Sequence, residues 1–207
     1  MKKVVILGVL AVLFVLVVIP LLIGVGIYNG LVNKQQATDS AWAQVQNVYQ
    51  RRADLIPNLV QTVAGAANFE KSTLEDITNA RASVGKVTLD ANNAPTDAAK
   101  LQEFQRAQGQ LSTALSRLLV VSERYPDLKA NNNFLTLQAQ LEGSENRIAV
   151  ERDNFNVAVQ SYDAAIKRFP GVLIAGTFGF TDKPYFTAAP IAQTVPSVQF
   201  DFNSTAK

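Results

Sequence analysis

Arg52 is the side chain whose type and place most need an explanation. Its heptad neighbours are apolar: Ala41, Val45, Val48, Leu55 and Leu59 follow alternating steps of four and three, with Arg52 in the remaining slot. Trp42, Tyr49, Ile56 and Val63 form a second column at intervals of seven. A guanidinium in such a seam is costly unless a carboxylate and further acceptors surround it. Glu142 and Glu145 lie three apart, on one face of a helix, and are the carboxylates best spaced to act together. Gln108 interrupts another apolar heptad in the same way that Arg52 interrupts the first. The expected chemistry is a buried polar layer in which Arg52 pairs with Glu145 or Glu142 and Gln108 takes up the remaining donors. Arg51 is the other cation within reach of the glutamates. Such a layer sets the register of otherwise slidable heptads and carries out no reaction.

Other routes to chemistry are closed by composition. The chain has no cysteine, so it has no disulfide, thiolate ligand, nucleophilic thiol or lipid-bearing cysteine. It has no histidine, so imidazole ligation, a triad base and the Glu-x-x-His pairs of carboxylate-bridged metal bundles are all missing. Gly176-Thr177-Phe178-Gly179-Phe180 is too short for a phosphate loop and lacks its lysine. The net charge of +2 is spread singly among acids with no basic stripe, which argues against nucleic acid as a partner. The expectation is no catalytic residue, no metal and no cofactor.

The elements that must position these residues are helices. Two lysines at the start precede residues 4–27, which carry no charge and rise about 36 Å as a helix, enough to cross a bilayer core with some tilt. No small-x-small cleavage site follows, and Tyr28 suits an interfacial anchor, so residues 1–28 read as an uncleaved transmembrane anchor. The lysine bias keeps the N-terminus cytoplasmic and the rest on the exported side. No strong stop signal follows, so the first helix runs on to Asn68, bent at Pro57. A second helix fits residues 70–87, with Arg81 in its seam. Residues 88–95 are a turn cluster.

Thr96 caps a third helix, whose heptad of Leu101, Phe104, Gln108, Leu111, Leu115, Leu118, Ser122 and Tyr125 ends at Pro126. A fourth helix over residues 131–168 carries Phe134, Leu137, Leu141, Ile148, Phe155, Val159, Tyr162, Ile166 and Phe169, weakened at Gly143 and stopped by Pro170-Gly171. Residues 171–207 are a glycine- and aromatic-rich tail without helical period, with a short strand at residues 198–202. Counting rise per residue places Arg52, Gln108 and Glu145 at one level and Arg81 about one and a half turns higher. The same count returns residues 172–180, with Tyr185 and Phe186, to the base of the bundle. There they form either a lid over its open end or an interfacial element.

The residues also carry a resemblance. Tyr28-Asn29-x-Leu31-Val32, Ala41-Trp42-Ala43-Gln44-Val45 and Gln50-Arg51-Arg52-Ala53-Asp54-Leu55-Ile56-Pro57-Asn58-Leu59-Val60 resemble the first helix of LemA family proteins. So do Tyr125-Pro126-Asp127-Leu128-Lys129-Ala130, Phe134, Leu141-Glu142-Gly143-Ser144-Glu145-Asn146-Arg147-Ile148-Ala149-Val150, residues 154–162, Phe169-Pro170 and Phe178-Gly179-Phe180. The resemblance spans nearly the whole chain and departs at residues 88–95 and after Ala188. It implies a bacterial membrane-anchored helical bundle, and it brings no catalytic residue with it.

Together these readings give an all-α fold: a long antiparallel bundle of about four helices over residues 29–170, continuous with the anchor. The expected function is that of a scaffold or adaptor in the bacterial inner membrane, working through protein contacts and self-assembly. The alternative is an accessory subunit of a membrane enzyme such as an envelope protease or transporter. The expected partners are the lipid bilayer, further copies of the chain and another membrane or envelope protein.

Overall fold

The computed structural model describes residues 2–65 and 69–187. Among them every regular element is helical: α1 (Lys2–Ala64), α2 (Lys71–Lys86), α3 (Ala98–Ser122), α4 (Pro126–Lys129), α5 (Asn132–Lys167) and α6 (Gly171–Phe178). The Val198–Phe202 strand and the Asn68 terminus lie outside the described residues.

α1 is a single helix of 63 residues, about 94 Å long, that passes through both Pro20 and Pro57. Its first third stands apart from the rest of the protein: Leu7, Phe14 and Leu22 are among its exposed apolar side chains. From Leu31 onward one stripe is buried: Leu31, Thr38, Trp42, Val45, Tyr49, Arg52, Ile56, Leu59 and Val63. This is a heptad seam, rotated slightly from the expected one. Ala41, Val48 and Leu55 are only half-buried on its flank. Trp42, Tyr49 and Ile56 remove more apolar surface from water than Ala41, Val48 and Leu55, so the helix turns to centre them.

Partners of α1 descend along α5 as α1 ascends. Lys34 Nζ donates to Ser161 Oγ at 2.7 Å, whereas Arg52 reaches Glu145. α3 instead ascends with α1. Leu101 and Phe104 share a cluster with Trp42, Val45 and Tyr49, and Leu111, Leu115 and Leu118 share the next with Ile56, Leu59 and Val63. α2 lies against α3, with Arg117 paired to Asp76 at 2.9 Å and Arg124 to Glu70 at 2.6 Å.

Several boundaries differ from expectation. The last described helical residue of α1 is Ala64. Arg81 is not the seam residue one and a half turns above Arg52 that the count places there. It is exposed, and its Nε reaches the Ala53 carbonyl of α1 at 3.4 Å. α3 is capped by Asp97 rather than Thr96, the carboxylate accepting from the Ala99 and Lys100 amides. Pro126 does not terminate α3. It opens α4, where a residue without an amide hydrogen is at no disadvantage. Residues 171–178 were expected to lack helical structure but form α6, closed by Gly179 at φ 75° with the Phe180 amide bonded to the Ala175 carbonyl at 3.1 Å.

The corner between α5 and α6 requires a glycine for a different reason, close approach. A Cβ on Gly171 would lie 2.3 Å from the Ala165 carbonyl oxygen, which is backbone and cannot swing away. Gly171→Ala should therefore destabilise the protein by about 1–3 kcal/mol. Gly176→Ala, where a Cβ meets nothing within 4 Å, should be neutral or slightly stabilising. Denaturation midpoints of the two variants in the same detergent check this, and equal midpoints would show that the corner is not tightly packed.

Candidate functional site

Three side chains from two helices, Gln108 and Ser112 of α3 and Glu145 of α5, converge on Arg52 of α1. The guanidinium is 1% exposed. Nη1 donates to Glu145 Oε1 and, at 2.8 Å, to Ser112 Oγ, while Nη2 donates to Gln108 Oε1. Ser112 passes its own hydroxyl hydrogen to Glu145 Oε1 at 3.2 Å. The Tyr49 ring lies 5.3 Å from the guanidinium carbon and supplies a π face. Arg52 Nε remains buried without a hydrogen-bond partner. Glu145 is 42% exposed, so the pair spans from the core to its rim.

The layer sits at a boundary in each helix. Below it the cluster holds Tyr49, Phe104 and Ile148, and above it the next holds Ile56, Leu111 and Leu141. Of the residues expected here, Arg52, Gln108 and Glu145 meet. Glu142 does not join them: it accepts from Gln138 at 3.0 Å on the outer face of α5. Arg51 is exposed and lines an open groove with Val48, Gln140, Gly143, Ser144 and Arg147. Ser112 was not anticipated, although it lies four residues after Gln108 on the same face. Burial pushes the Tyr49 phenol above its ordinary range, against the pull of Arg152 and Arg52.

A second buried cation escaped the sequence reading altogether. Lys183, in the segment after α6, is 6% exposed. Its Nζ donates to the Ala94 carbonyl at 3.2 Å and lies 3.5 Å from Asp39 Oδ1, and its amide donates to Asp163 at 3.2 Å. Asp39 also accepts the Ala94 amide at 2.9 Å, and Trp42 Nε1 donates to the Asp90 carbonyl at 2.7 Å. α1, α5, the connection between α2 and α3 and the chain after α6 are thus clasped together. Burial raises the Asp163 carboxyl above the usual carboxylate range, with the Lys183 amide working the other way. Nothing in the linear pattern Thr181-Asp182-Lys183-Pro184 marks this lysine as a core residue.

The aromatic tail divides around the clasp. Phe178 and Phe180 pack on Tyr28 with centroids 4.9 and 5.8 Å away, at the base as expected. Phe186 does not stay there. It lies against Trp42 and Phe155, at 6.1 and 5.5 Å, with Arg152 over its ring at 4.7 Å. Its backbone is held on both sides by Asn156. The segment climbs because Trp42 offers an apolar face that α1, α3 and α5 leave open.

The LemA family model matches residues 41–200, which include both buried cations and the Trp42 cluster. The chain belongs to the LemA family. Magnetosome protein MamQ of Magnetospirillum gryphiswaldense is 24% identical, over 81% of this chain and 67% of its own length. Protein LemA of Metamycoplasma hominis is 26% identical, over 81% of this chain and 72% of its own length. In this LemA family member no group of three or more metal-ligating acidic side chains occurs among the described residues.

Two expectations follow. Glu145→Leu should destabilise by roughly 2–3 kcal/mol, less than a fully buried pair because Glu145 is half in water. Arg52→Met combined with Glu145→Leu should recover much of that loss. A double-mutant cycle on denaturation midpoints measures it, and strictly additive losses would refute the coupling. Lys183→Ala should leave the helices intact and release the strap formed by residues 179–187, so that chymotrypsin cuts after Tyr185 and Phe186 roughly tenfold faster. An unchanged cleavage rate would show that the apolar contacts of Phe186 suffice without the clasp.

Proposed function

We propose that the chain is a membrane-anchored scaffold or adaptor of the bacterial envelope, acting through protein contacts and self-assembly and without catalytic activity, cofactor or nucleic-acid partner. The observation that carries this reading is the continuity of α1. One helix leads from an exposed apolar stretch of membrane-crossing length directly into the heptad seam. A rod of this kind holds its outer surface at a set distance from the bilayer. The helix pairings fit an antiparallel four-helix bundle, with residues 29–170 as its body. The lysines at the N-terminus favour a single-pass inner-membrane topology with the bundle exported.

Two features support contact-based action. The buried charges Arg52 and Lys183 are spent on internal partners, which leaves them unavailable for chemistry on a substrate. Among the relatives, MamQ is named for a cellular body rather than a reaction. The accessory-subunit reading draws on the groove beside Arg51 and Arg147, whose two guanidinium groups suit a carboxylate-bearing protein partner.

Protease added outside spheroplasts should digest the bundle, and the detergent-extracted protein should scatter light as a multiple of 22.4 kDa. Protection until the membrane is lysed would overturn the topology. A strictly monomeric mass would turn the proposal toward the accessory-subunit reading.

A further inference from the structure

The most apolar short element of the structure is only half covered. Ala175 of α6 packs with Leu31, Tyr162 and Ile166, and Ile174 comes against the bare backbone of Gly24, where an added Cβ would lie 3.8 Å from its Cδ1. The opposite face presents Leu173 at 61% exposure with Val172 beside it, Phe169 just before the helix is at 80%, and Phe178, although its ring meets Tyr28 on the α1 side, is still 60% exposed. In a water-soluble setting such a patch calls for an occupant.

Its height along α1 indicates which one. A bilayer core of about 30 Å takes up about 20 helical residues. Counted from Val4, the first residue after the lysines, the far boundary falls at Ile23 and Gly24, and α6 docks on α1 at that level and just above it. The Tyr28, Phe178 and Phe180 rings gather there, as amphipathic aromatic rings do at a headgroup boundary. Lys34, Lys167 and Arg168 follow on the water side, and they are the first cations the chain places above the apolar run on α1 and α5. A second copy of the chain is a poorer fit. A stable dimer buries about 800 Å² on each partner, and a helix about 12 Å long has a fraction of that to offer.

We propose that α6 is an interfacial helix, lying in the outer boundary of the same bilayer that α1 crosses, with Phe169, Val172, Leu173 and Phe178 in lipid. The proposal rests on the anchor reading of α1 given above. It makes the membrane a second attachment point, joined to the bundle through the strap of residues 179–187. α1 is then held at a defined rotation and tilt, since α6 lies on one side of it only.

The absence of native cysteine permits a clean test. Leu13→Cys, Leu173→Cys and Val120→Cys, all at exposed positions, are nitroxide-labelled in the full chain reconstituted into phosphatidylethanolamine–phosphatidylglycerol vesicles. Helical circular dichroism confirms that each is folded. Relaxation by oxygen against a water-soluble nickel chelate reads depth. The label at 13 should be deepest, that at 173 should favour oxygen at a shallower depth, and that at 120 should favour the chelate. A label at 173 that favours the chelate while that at 13 stays in lipid overturns the interfacial helix and leaves the anchor standing. Chelate access at 13 overturns the anchor itself. Shielding of 173 from both reagents, with spin–spin broadening, assigns the face to a second copy and overturns the lipid proposal.

Discussion

A buried guanidinium fixes how the helices of this protein meet. Arg52 is enclosed, permanently charged, and satisfied only when Glu145 of α5, Gln108 and Ser112 of α3 and the Tyr49 ring stand at its level. Apolar heptads alone do not distinguish one register from the next, because leucine packs against leucine in either. A slip of one step would bring Ile56 or Tyr49 opposite Glu145 and leave the cation without its carboxylate, several kcal/mol worse by the desolvation of an unpaired charge. The aromatic cluster around Trp42 and the aliphatic cluster around Leu59 then fall into place on either side.

The second constraint comes from the end of the described chain. After α6 the backbone turns upward and delivers Lys183 and Phe186 to a gap bordered by α1, α5 and the connection between α2 and α3. Trp42 is the hub of that gap, in ring contact with Phe104, Phe155 and Phe186 and bonded through its indole nitrogen to the Asp90 carbonyl. Residues 171–187 therefore link the base of the bundle, beside Tyr28, to its middle. α6 is held by α1 at one end of this segment, and Lys183 and Phe186 hold the other.

These two polar sites differ in how visible they are in one dimension. Arg52 and Gln108 each break an apolar period, and a period is a strong local signal, so both stand out and the levels of their helices follow by counting. Glu145 and Glu142 are separated only by which face of α5 turns inward, which depends on packing against α1. Lys183 breaks no period. Its burial depends on a gap created by distant segments and on acceptors from Ala94 and Asp39, and nothing local encodes that coincidence.

The sequence by itself determined the helical class, the apolar run at the N-terminus, the interior place of Arg52 and Gln108, and the exclusion of imidazole and thiol chemistry. These follow from residue type and from periods of 3.5 to 3.6, which are properties of a single helix. Only the tertiary structure decided that Arg81 lies outside the seam, that residues 171–178 are helical and that Phe186 leaves the base for the core. Each of these depends on the apolar surface that other segments leave uncovered. α6 lacks a strong amphipathic period, and the α1 flank and the Ile166 end of α5 hold it against one side. That kind of burial comes from contacts far apart in the chain, and it arises only when the helices have already met.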